Sequence, residues 1–143
     1  MDVKKRETTS IFKDDSGRTF QINSYDPMMG NYILMQIATF GMPFGLGEML
    51  SAEVGSETNA KPNIDKKPMM SKSEFLELQK DILTTVEEVY ESGNTSPVVR
   101  ENGTYGVQDV SSALLLKLIV ASLAFNFKSF FNELPSTEGL NSL

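Results

Sequence analysis

Carboxylate pairs are the only acid–base apparatus this chain offers, because it contains no histidine, no cysteine and no tryptophan. Imidazole bases, thiol chemistry, disulfides and zinc sites are thereby excluded. Glu77 with Asp81, and Glu87 with Glu91, stand four residues apart, a spacing that on a helix puts each pair on one face, where it could hold a magnesium ion. That face is the solvated side of a predicted helix, so the pairs read as an acidic, solubilising surface. Ser10-Ile11-Phe12-Lys13 has the spacing of a Ser–Lys nucleophile pair, but such a pair needs a helical turn, and on a strand positions 10 and 13 face opposite sides. The glycines of Gly41-Met42-Pro43-Phe44-Gly45-Leu46-Gly47 lack the Gly-Lys-Ser/Thr ending of a phosphate loop. The expectation is therefore a binding protein and not an enzyme, with no cofactor and no metal.

Charge narrows the partners. Thirteen Lys and Arg against nineteen Asp and Glu leave a net charge of -6 over 143 residues, the wrong sign for affinity built on phosphate neutralisation. Lys4-Lys5-Arg6 reads as a solvated terminus, and nucleic acid is not an expected partner. The start of the chain has no apolar run behind its basic residues, so no export is expected. Asn94-Thr95-Ser96 and Asn102-Gly103-Thr104 then read as chance matches to a glycosylation pattern. The most apolar stretch, 113–125, is interrupted by Lys117 and falls short of the ~20 residues a bilayer requires. No membrane partner is expected either.

The elements that must position any binding surface follow from local pattern. Composition that is 40% hydrophobic and 22% charged suits one domain spanning 1–143. The fold class expected is mainly α: three main helices and an N-terminal β-hairpin. The hairpin occupies 7–23, with Asp14-Asp15-Ser16-Gly17 as its turn and Phe20 and Ile22 sharing one strand face. Helix one opens at Asp26-Pro27, an N-cap followed by a residue pre-set for the first turn, and with a short helix behind Pro43 accounts for 26–50. The polar stretch 51–70 reads as a flexible loop. Ser71-Lys72-Ser73-Glu74 is a capping box opening helix two over 71–92, with Phe75, Leu78, Ile82, Val86 and Val89 as its apolar stripe and Glu88 on the opposite, solvated side. Pro97-Val98-Val99-Arg100 could pair as a short edge strand. Helix three runs over 109–134 with Asp109 as its cap, and 136–143 reads as a frayed tail.

Helix three carries apolar residues over a wider arc than two shorter helices can cover, so the surplus points to self-association or a hydrophobic client. Leu115, Leu118, Phe127, Phe130 and Phe131 are the expected partner-binding anchors. All eight methionines lie in the first half of the chain, and the seven after Met1 read either as ordinary core filling or as adaptable contacts, with Met42, Met69 and Met70 expected to be exposed.

The order of elements, a hairpin with Phe20-Gln21-Ile22, a helix from Asp26-Pro27, a polar middle, and a closing helix ending Asn126-Phe127-Lys128-Ser129-Phe130-Phe131, resembles the tail assembly chaperones of long-tailed bacteriophages. The resemblance spans about residues 7 to 135 and rests on hydrophobic pattern together with Asn126, Phe127, Phe130 and Phe131. It implies a non-enzymatic protein of the host cell cytoplasm. Such a protein keeps the aggregation-prone tape measure protein soluble while tail tube protein polymerises around it, and is absent from the mature virion. The competing expectation is a structural virion component, a head–tail connector or minor tail protein, that closes into a ring.

Overall fold

The structure, a computed structural model, describes residues 8–40 and 70–133, with side chains to 37 in the first stretch and to 128 in the second. The expectations for Lys4-Lys5-Arg6, the short helix behind Pro43, nearly all of the loop 51–70 and the tail 136–143 lie outside the described residues.

The chain is not mainly α. Among the described residues three helices pack with a four-stranded antiparallel sheet, an α+β arrangement, and the departure begins in the middle of the predicted second helix. The strands are β1 (Thr9–Lys13), β2 (Thr19–Asn23), β3 (Val86–Val89) and β4 (Thr95–Pro97), in that order across the sheet. The helices are α1 (Pro27–Phe40), α2 (Lys72–Leu83) and α3 (Ser112–Glu133).

The hairpin forms where its turn chemistry requires. The Asp14 carboxylate accepts the backbone N–H groups of Ser16 (3.1 Å) and Arg18 (2.8 Å), and Gly17 takes φ +91°, a conformation open to glycine at no steric cost. Pairing of Phe12 with Phe20 and Ser10 with Ile22 sends Phe20 and Ile22 to the same, buried face. At α1, the Asp26 carboxylate accepts the N–H groups of Met28 and Met29, the capping expected of aspartate. The capping box of α2 is complete, with Glu74 N–H on Ser71 Oγ at 3.1 Å and Ser71 N–H on Glu74 Oε1 at 3.4 Å.

That helix stops at Leu83 instead of running to 92. The hydroxyls of Thr84 and Thr85 turn back to the carbonyls of Asp81 (3.0 Å) and Ile82 (2.6 Å), and the β-branched run Thr84-Thr85-Val86 favours an extended chain. Val86–Val89 then pairs with β2 as a central strand and turns back through Gly93 at φ +88° to β4. Three-residue spacing of Val86 and Val89 is compatible with a helix, but here it is a strand with Val86 inward. The suggested edge pairing of 97–100 is met in part by β4 and by a single bridge between Val99 and Tyr105.

Helix α3 starts three residues later than predicted. Asp109 sits at φ +54°, and it is Ser111 whose hydroxyl accepts the Leu114 N–H at 3.1 Å. One core cluster unites Phe20 and Ile22 of β2, Val86 of β3, Ile33 of α1, Leu78 and Ile82 of α2, and Leu114, Leu118, Ile119 and Leu123 of α3. α3 lies against α2, β1 and β2, and α1 meets α2.

Candidate docking surface

The three expected anchors on α3 whose side chains are described, Leu115, Leu118 and Phe127, do not form an exposed surface. Leu118 is completely buried and belongs to the core, which corrects its assignment as a docking residue. Leu115 and Phe127 are half-buried and packed on the core cluster. Phe130 and Phe131 lie within α3, but their side chains are outside the described ones. Over 112–128 the large apolar side chain most open to solvent is Leu116, at 41%. Over 112–128 the apolar arc of α3 is met by α2 and by the hairpin strands β1 and β2, so the sheet takes a flank that the sequence reading left bare. Met70, expected to be exposed, is half-buried against the same cluster.

Asn126, the most polar of the positions carrying the family resemblance, is a fastener between distant parts of the chain. Its Oδ1 accepts the Tyr25 backbone N–H at 2.8 Å, and its Nδ2 donates to the Ser122 carbonyl at 2.9 Å. The buried hydroxyls of Tyr25 and Ser122 meet at 2.8 Å, and burial raises the Tyr25 phenol above its ordinary range. These bonds fix the β2–α1 corner onto α3.

The acidic candidates separate. Glu77 and Asp81 share α2 as expected, and burial, followed by the charge of Glu77, raises the Asp81 carboxyl above the usual carboxylate range against the opposing pull of Lys80. Glu87 and Glu91 no longer share a helix face, since Glu87 is in β3 and Glu91 in the turn after it. Glu88, expected to be solvated, is buried and takes a two-pronged contact from Arg18, Nε to Oε2 at 3.0 Å and Nη2 to Oε1 at 2.8 Å. Arg18 also donates to the carbonyls of Gln108 and Asp109 and lies 5.2 Å over the Phe20 ring. Among the described residues no cluster of acidic side chains could hold a metal ion, and no helix is long and apolar enough to cross a membrane. Ser10 and Lys13 lie on β1, where their side chains point to opposite sheet faces.

Among the described residues α1 carries four of the nine exposed large apolar side chains, more than any other element. Met28 is 82% exposed, Met35 65%, Tyr32 47% and Met29 36%. At 100° per residue Met28, Tyr32 and Met35 fall within an arc of about 60°, opposite the buried Ile33 and half-buried Ile37. No charged residue occurs among the fourteen residues of α1.

No family model matches the chain, and no curated protein or solved structure matches it.

The missed signal was present in the sequence. Met28, Tyr32 and Met35 recur at helical spacing on a helix whose other side is also apolar, and a helix apolar on both sides must be buried twice or exposed once.

Proposed function

We propose that the protein is a non-enzymatic tail assembly chaperone that holds the tape measure protein soluble in the host cytoplasm during assembly of the tail tube. The observation that carries the reading is the uncharged apolar stripe of α1, Met28, Tyr32 and Met35, exposed on a chain with net charge -6. A holding protein needs accessible apolar contacts to engage an aggregation-prone client. It also needs like charge to keep the complex from precipitating. Methionine supplies the first in adaptable form, since its unbranched thioether fits apolar partners of varied shape. The family resemblance names the client.

Co-expression with the longest open reading frame downstream of the gene, the candidate tape measure protein, tests the reading. Soluble client that co-purifies with this chain, together with absence of the chain from finished particles, is the expected result. A client that stays insoluble in its presence, or a chain retained in every virion as a closed ring, refutes it.

A further inference from the structure

The docking role proposed above rests on α1, and the geometry of that helix restricts what can occupy it. We propose that α1 receives one uncharged apolar stripe of a partner helix, laid lengthwise along Met28, Tyr32 and Met35, with Met29 at its margin.

The first restriction is hydrogen bonding. The backbone N–H and C=O groups in the body of α1 are engaged within the helix, so an extended segment docked here would find no main-chain partners and would bury its own polar backbone at a cost. A helix arrives with those groups already paired. Its side chains at i, i+4 and i+7 repeat over the same two turns, about 10 Å, that separate Met28 from Met35.

Charge supplies the second restriction. With no ionised side chain on α1, the surface cannot neutralise a charge on the partner, and any Lys, Glu, Asp or Arg turned toward it would be stripped of water without compensation. The partner stripe is therefore neutral. Without interhelical ion pairs to set register, recognition follows apolar shape more than sequence, which suits flexible methionines.

The third restriction is size. Three methionines and a tyrosine exposed to this degree make a patch on the order of a few hundred Å², within the range of the largest apolar patch of an ordinary monomer and short of the ~800 Å² each partner contributes to a stable interface. That area is small for a lasting dimer of this chain and fits a single helix that binds and leaves.

The test uses the full chain and a synthetic 18-residue helix with leucine at i, i+4, i+7 and i+11 and alanine and glutamine elsewhere, alongside an alternating Val–Thr peptide as an extended control. Saturable binding of the helix, with no binding of the control, is expected. M28K/M35K should weaken it at least about tenfold while its far-ultraviolet circular dichroism and melting temperature match the wild type. M28Q/M35Q, which adds no charge, should give a smaller loss. The proposal is overturned if the helical peptide does not bind, or if it binds both variants like the wild type. It is equally overturned if sedimentation shows a wild-type dimer that M28K/M35K dissolves, which would assign the stripe to a second copy, or if phosphatidylcholine–phosphatidylglycerol vesicles, and not the peptide, bind in an α1-dependent way. Full solubilisation of the tape measure protein by M28K/M35K would refute the α1 site and leave the chaperone reading standing. Peptide binding without solubilisation would do the reverse.

Discussion

Asn126 of α3 accepts the backbone N–H of Tyr25 at 2.8 Å, a partner 101 positions away in the sequence. The same side chain donates to the Ser122 carbonyl, so one amide bridges the entry to α1 and the middle of the long helix. Asn126→Ala removes the acceptor from a partly buried N–H and should destabilise the fold by about 1–3 kcal/mol. Urea unfolding followed by circular dichroism measures it, and an unchanged midpoint would show that water replaces the amide.

Arg18 and Glu88 form a second tie, between the N-terminal hairpin and β3, with side chains only 20% and 10% accessible. Arg18→Leu leaves the Glu88 carboxylate without its cation and should cost about 2–3 kcal/mol, somewhat less than a fully buried pair because some solvent reaches it. Arg18→Leu/Glu88→Leu should be more stable than Arg18→Leu alone. Equal stability of the single and double variants would mean that the carboxylate relaxes into water at no loss.

Gly106 donates its N–H to the Val98 carbonyl at 3.1 Å and lies so close to β4 that a β-carbon would collide with the Pro97 carbonyl. Gly106→Ala should therefore lose at least about 2 kcal/mol by forced displacement of backbone. Gly103→Ala is the comparison, since open space surrounds Gly103 and only its positive φ resists a side chain, at about 1–2 kcal/mol. Thermal melts of the two variants should rank in that order.

Asp81, in the last turn of α2, has its carboxyl raised by burial and by Glu77. An acid whose pKa is higher folded than unfolded opposes folding once ionised. The penalty is absent below the unfolded value, grows as pH rises from there through the folded value, and is complete above it. The negative charge at a helix C-terminus acts in the same direction. Asp81→Asn should raise the melting temperature at pH 7 and leave it nearly unchanged near pH 3. A variant destabilised equally at both values would point to lost packing instead.

Several features were readable without coordinates because they are decided within a few residues. Asp14 and Gly17 specify the hairpin turn, Asp26 caps α1, and Ser71 with Glu74 closes the box of α2 by satisfying donors three residues away. Turn and capping chemistry is local, so the one-dimensional pattern contains all of its partners. Val86 and Val89 were different. Their spacing allows a helix to continue, and what makes them strand is pairing with Thr19–Asn23, more than sixty residues earlier. That single switch carries Glu88 from a solvated helix side to the core side of a sheet, opposite Arg18. The strands that lie against α3 are β1 and β2 of the hairpin, which this switch joins to β3. Which apolar residues remained for a partner thus depended on what the shared core had already taken: Leu118 is buried in it, while Met28, Tyr32 and Met35 are exposed. The helical spacing of Met28, Tyr32 and Met35 marks a second apolar face on α1, but whether such a face is covered is decided by packing between distant segments.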